Sequence, residues 1–317
     1  MRFIFSSIGC VVLFFCTFHS AAQNEMRIRP KWKLGDSRSV KEENIVKVYE
    51  DGKFSFEEVS TSYYSMTVID TVEFYTIEYA MRPGASRNYL TSSTSDTTTQ
   101  SLKDQFYADL EEEFGKVNCK LKVDKSTGLA TVVVNPDEMM LAMKQGLEKA
   151  FVRMCATRGI EESRADSLAP FFMMMLEMQR EGIMQTALNS ANVLLDVYSF
   201  SFIPGSEMIY EAKFYPINVL TELGDEMFDG ELSIRAEKGT TRTMYITSKS
   251  TYDKESFCAK MRQFEDFKKV KSSQVSMVST DQDVIDTITT WPISSETESE
   301  VQLGNIRVKV LSTTTFR

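Results

Sequence analysis

The chain has 317 residues, 42% of them hydrophobic, a formal charge of −9 and a single histidine. An acidic chain without a long basic run is a poor partner for nucleic acid or anionic lipid. With His19 as its only imidazole, it also offers little to His-dependent hydrolysis or to zinc.

The N-terminus reads as a secretory signal peptide over residues 1–22. Arg2 gives a positive start, Ile8 to Phe18 an apolar run, and Ser20-Ala21-Ala22 the small residues of a cleavage site near Ala22. The expected location is therefore periplasmic or extracellular, and the mature chain carries neither imidazole nor a transmembrane segment, since no later stretch is long and apolar enough to span a bilayer. Cys119, Cys155 and Cys258 remain. An odd number outside the cytoplasm allows one disulfide plus a free thiol, or none, and their spacing contains no C-x-x-C pair.

Residues 23–90 read as an N-terminal antiparallel β region. Tyr64, Met66 and Val68 recur at period two with Tyr63 and Ile69 opposite, Tyr75, Ile77, Tyr79 and Met81 form a further strand, and Asp51-Gly52 is a turn signal. Residues 91–101, TSSTSDTTTQS, form a Ser/Thr-rich loop. Residues 102–200 read as mainly helical with one β-hairpin at 119–134. A short helix carries Phe106, Leu110 and Phe114. The hairpin turns at Asp124 to Gly128, and Asn135-Pro136-Asp137-Glu138 starts a helix, with Asn135 placed to accept free backbone N–H groups. Met140, Met143, Leu147, Phe151 and Met154 make a helical stripe. A second helix is expected from near Leu168 to Arg180, and its centre, Phe171 to Leu176, is apolar all round, so that it is buried on several sides or exposes an apolar surface. Residues 201–317 read as a C-terminal β region with one helix at about 253–270, closing in a hairpin across Gly304-Asn305. Leu34-Gly35-Asp36 and Leu223-Gly224-Asp225 echo one another before their β regions.

Catalytic signatures are sparse. No G-x-S-x-G elbow, Ser-x-x-Lys pair, G-x-G-x-x-G loop or phosphate-loop lysine occurs. Glu57/Glu58, Glu111/Glu112/Glu113 and Glu161/Glu162 read as solvated surface. Asp281, Asp283 and Asp286 form a short acidic cluster that lacks the glycine and distal glutamate of a calcium loop, and read as a polar loop between helix and strand. No catalytic residue, metal site or cofactor is assigned. The ligand-binding candidates are Met140, Met143, Phe171, Met174, Met175 and Met178, because methionine suits either an irregular core or an adaptable apolar surface.

The Lys-Leu-Gly-Asp strand entry at 33–36, the Ser-Thr-Gly turn at 126–128, the Asn135-Pro136-Asp137-Glu138 helix start and the returning hairpins resemble uncharacterised secreted β-rich proteins of Gram-negative bacteria. The layout is more loosely similar to half-barrel lipoprotein carriers, which implies a curved antiparallel sheet covered by helices. The O-glycosylation acceptor pattern of some such bacteria is similar to Asp70-Thr71-Val72, Asp96-Thr97-Thr98, Asp166-Ser167-Leu168 and Asp286-Thr287-Ile288. The expected fold is α+β, with antiparallel sheet from both ends of the chain and a helical middle packed on or inserted into it. The expected function is a non-enzymatic envelope or secreted protein that binds an apolar small molecule, lipid or envelope protein. The alternative is a carboxylate-dependent hydrolase of glycans or cell-wall material, which needs two acids converging in one cleft.

Overall fold

A computed structural model describes residues 25–81, 89–90, 109, 112–113, 116–157, 170–171, 173–214, 228–262 and 271–317. The expectations for the signal peptide, the 91–101 loop, Phe106 to Phe114, Asp166-Ser167-Leu168, Leu223 to Asp225 and the helical stripe beyond Arg262 lie outside these residues.

The strands are β1 (Met26–Arg27), β2 (Ser37–Glu50), β3 (Lys53–Asp70), β4 (Tyr75–Met81), β5 (Tyr89–Leu90), β6 (Asn118–Val123), β7 (Ala130–Val133), β8 (Ser201–Phe202), β9 (Glu207–Phe214), β10 (Phe228–Lys238), β11 (Thr243–Tyr252), β12 (Val275–Asp286), β13 (Pro292–Leu303) and β14 (Ile306–Phe316). The helices are α1 (Pro136–Thr157), α2 (Arg180–Leu194) and α3 (Lys254–Met261). Twelve strands form one antiparallel sheet in the order β7-β6-β4-β3-β2-β14-β13-β12-β11-β10-β9, with β5 beside β3. Two meanders, one from each part of the chain, are thus joined where β2 pairs with β14 from Val40↔Phe316 to Glu50↔Ile306. The mixed, sheet-rich α+β class agrees with the sequence pattern.

Local chemistry explains the hairpins. Asp51 and Gly52 both have positive φ, 50° and 75°, as a two-residue turn matched to strand twist requires. The β6–β7 turn is closed by Asp124, whose carboxylate accepts from the backbone N–H groups of Ser126 and Thr127 at 2.8 Å. Asn135 departs from its expected role as a helix cap. Its Oδ1 accepts from Lys120 N at 2.7 Å and its Nδ2 donates to the Asn118 carbonyl at 2.9 Å, so it ties the helix entry to β6. The second helix also extends further than expected: residues 173–178 are helical, and after Gln179 the chain continues as α2 to Leu194. Lys144–Glu177 and Arg180–Asp137 ion pairs tie this stretch to α1.

One face of the sheet carries the core. At one end of the strands, Trp32 stacks on Trp291 with ring centroids 4.3 Å apart and meets Tyr75 at 5.1 Å and Tyr198 at 5.6 Å. Tyr198 belongs to a 3-10 turn, Asp196–Tyr198, and its hydroxyl donates to the Thr290 carbonyl at 2.6 Å. At the other end, α3 places Phe257 against Phe228, centroids 4.7 Å apart. Both are fully buried, as are Trp291 and Tyr198 within about 1%. Each such ring contributes roughly 2–3 kcal/mol by burial, so the sheet is plugged at both ends.

Asp281 and Asp283 correct the sequence reading. They lie within the twelve-residue strand β12, not in a loop, and only Asp286 reaches a turn, where it accepts from Ile288 N at 2.8 Å. The strand escaped notice because polar residues occupy its central inward positions, which breaks the apolar alternation.

Candidate functional site

Residues directly opposite in antiparallel strands share a face, so the pairing register shows what lines the inner side of the sheet. Near one end, Tyr64, Val40 and Phe316 lie side by side. Near the other, Phe56, Val48, Val308, Val301 and Met277 do the same. Between these apolar rows the register brings together Ser62, Glu42, Thr314, Ser295 and Asp283, then Ser60, Asn44, Ser312, Thr297, Asp281 and Ser248. A third row, Glu58, Val46, Val310, Ser299, Ser279 and Ser250, is polar except at its two valines. A polar belt therefore crosses six adjacent strands on the face that holds the core.

Parts of the belt satisfy themselves. Asn44 Nδ2 donates to Glu42 Oε1 at 3.1 Å, the Ser279 and Ser299 hydroxyls are 2.7 Å apart, and Ser248 Oγ donates to Asp281 Oδ2 at 3.1 Å. Asp283 is 3% exposed. Burial pushes its carboxyl up to about 7, the nearby Asp281 adds to the shift, and the Ser295 hydroxyl opposes it. Asp281 is raised by burial too, against hydrogen bonds from Thr297 and Ser248. Asp196, on the 3-10 turn, is raised well above the carboxylate range, first by burial and then by Asp283 and Asp281. The turn therefore sets a third acid near the β12 pair, and near neutrality the group keeps protons that isolated carboxyls would release.

Glu58 differs from these acids. It is 6% exposed, and burial alone raises its carboxyl. Among the described residues it has no hydrogen-bond or ion-pair partner, whereas its sequence neighbour Glu57 pairs with Lys47 on the opposite face at 3.0 Å.

The belt is not closed over everywhere. Asn44, Val46, Val310 and Ser312 are half-buried, although Val40, Val48, Val308 and Phe316 on the same face of the same strands are buried. The middle of the inner face is thus the part within reach of solvent. As for general acid–base chemistry, Asp281 and Asp283 are two residues apart on one strand, about 7 Å by strand rise. The near-complete burial of Asp283 denies a glycan access to that pair. No group of three His, Cys, Asp or Glu side chains among the described residues has a metal-holding arrangement.

The six residues singled out from sequence do not converge on one site. Met140 is buried at 2%, and Met143 packs half-buried on the core. Phe171, Met174, Met175 and Met178 are 47–76% exposed on the helical stretch before α2. Of the apolar centre of that helix, Phe171, Met174 and Met175 face solvent, while Met173 and Leu176 are half-buried. Cys119, Cys155 and Cys258 are buried and unbridged. Sequence reasoning missed the inner belt altogether. A signal was present in Glu42/Asn44 and Glu58/Ser60/Ser62, polar residues at period two in phase with the buried Val40 and Met66, but polar residues at such spacing usually mark the solvent face.

No protein-family model matches the chain, and no curated protein does. Among solved structures, one described as lipid-protein interactions in lipovitellin is 12% identical, covering 90% of this chain and 25% of that one, with a TM-score of 0.39. The dehydratase domain from the CurJ module of curacin polyketide synthase is 7% identical, covering 87% and 75%, with a TM-score of 0.11. The chain spans a quarter of the lipovitellin structure, and both scores are too low to assign a fold or carry a functional argument.

Proposed function

We propose that this chain is a non-enzymatic binding protein, exported by residues 1–22, whose site is the middle of the inner sheet face and whose ligand is amphipathic. The observation that carries this reading is the half-burial of Asn44, Val46, Val310 and Ser312 in the middle of β2 and β14, the two strands whose inner residues Val40, Val48, Val308 and Phe316 on either side are buried. Val46 and Val310 offer apolar surface beside the hydroxyl and carboxylate belt, so an aliphatic chain and a polar head each find a matching wall. Val310→Trp would fill the opening from the strand that joins the two meanders. In isothermal titration with decanol, the wild type should bind and the variant should lose at least tenfold in affinity while its far-ultraviolet circular dichroism is unchanged. Equal binding by both would refute the site.

The exposed Phe171, Met174, Met175 and Met178 favour a second reading, in which this helical surface meets an apolar partner such as an envelope protein or lipid surface. Replacing Met174, Met175 and Met178 together by Gln should abolish retention on lipid vesicles without altering decanol binding. Vesicle retention by the triple variant would remove this role.

A further inference from the structure

We propose that the inner face selects ligands with a protonated amine, and that Glu58 is the group that receives it. This deepens the reading of the inner face as a ligand site and rests on it.

The register fixes which charged groups the middle of the face carries. From β3 to β11, the three rows of the belt and the apolar row beside Val48 present Glu42, Glu58, Asp281 and Asp283 but no lysine or arginine. Lys47 and Lys309 point the other way, where they pair with Glu57 at 3.0 Å and Glu300 at 2.6 Å, and Arg38, the cation on the inner face of β2, lies beyond Val40 at the end of the strands, over the Trp291 ring at 5.1 Å. Where the ionisable groups at the middle of a partly buried face are all acids, any charge that develops there is negative and favours a cationic ligand.

Within that face Glu58 is the group left without a match. Asp281, Asp283 and Glu42 each accept from a neighbouring hydroxyl or amide. Glu58, 94% buried, has no such partner among the described residues and sits beside Val46, at the half-exposed middle of the face. A carboxylate without a protein partner that receives an ammonium in a partly dry site forms a strong charge-assisted hydrogen bond. Val46 and Val310 would flank the methylenes next to the amine.

The test compares three ten-carbon probes, decylamine, decanol and decanoate, below their micelle concentrations at pH 7 by isothermal titration against the full mature chain. The proposal expects decylamine to bind at least tenfold more tightly than decanol, and decanoate to bind weakest. Glu58→Gln should bring the ratio of decylamine to decanol affinity from at least tenfold down to about one. In the wild type, decylamine affinity should also fall as the pH drops and Glu58 takes up a proton, the other acids of the face being Glu42, Asp281 and Asp283. That measurement needs no variant. Decanol binding without an amine preference, or a preference that survives Glu58→Gln, overturns this proposal and leaves the inner-face site standing. Failure of all three probes to bind overturns both.

Discussion

Asp283→Asn isolates the cost of keeping a buried acid beside two others. In the folded chain its carboxyl rises from the ordinary 3.8 to about 7, chiefly through burial. The folded state therefore holds the proton more tightly than the unfolded chain, so the favourable contribution of this group is complete below pH 4 and is lost as the pH rises toward 7. Between pH 5 and pH 8 about two pH units of that shift are crossed, which at about 1.4 kcal/mol per unit is roughly 2–3 kcal/mol. Asp196 and Asp281 titrate with it, so the figure belongs to the group of three as much as to one side chain. Asparagine keeps an acceptor for the Ser295 hydroxyl and cannot ionise. Urea unfolding of both proteins at pH 5 and pH 8 measures the effect. The stability of the variant relative to the wild type should rise by roughly 2–3 kcal/mol between pH 5 and pH 8. Parallel loss of stability in the two proteins over this range would refute the assignment of the proton to this site.

Three other perturbations follow from the fold. Gly128→Ala should cost on the order of 2–3 kcal/mol in urea unfolding, because φ is +71° there and a Cβ would stand 2.5 Å from Tyr198 Cβ. Trp291→Ala should cost roughly 3–5 kcal/mol. Trp32 and Trp291 are the chain's two tryptophans and are both buried, so native emission should be blue-shifted and move to the red on unfolding; an exposed-tryptophan spectrum in the native state would contradict the stacked pair. Asn135→Ala should lower stability by about 1–3 kcal/mol through the orphaned Lys120 N–H and Asn118 carbonyl, with Asn135→Asp recovering the first and not the second. Equal effects of these two Asn135 substitutions would indicate that the bonds to β6 do not carry the cost.

Much of the fold is legible in local chemistry. Asp51-Gly52 and Gly304-Asn305 mark hairpins because few residues tolerate positive φ, and Pro136 with Asp137 and Glu138 marks a helix start because it suits that end of the dipole. The period-two runs at Tyr64 to Val68 and Tyr75 to Tyr79 identify a buried face because burial on one side of a strand repeats every second residue. The composition of Phe171 to Leu176 excluded a simple amphipathic helix, but whether its apolar excess is buried or exposed depends on what packs over it.

The belt is a different kind of object. Glu42, Asn44, Glu58 and Ser60 lie early in the chain, Asp281, Asp283, Ser295 and Ser312 near its end, and they meet because β2 pairs with β14. That single long-range pairing sets which residues stand in one row, and a slip of one position would turn the belt to the opposite face. Local chemistry thus determined the turns, the helix starts and the strands with an apolar alternation, because those depend on a residue and its near neighbours, and left β12 to the tertiary structure. Which face of those strands turned inward at the middle, and that Glu58 lies there without a partner, was decided only when the two meanders joined, because burial and charge environment are properties of the packed sheet.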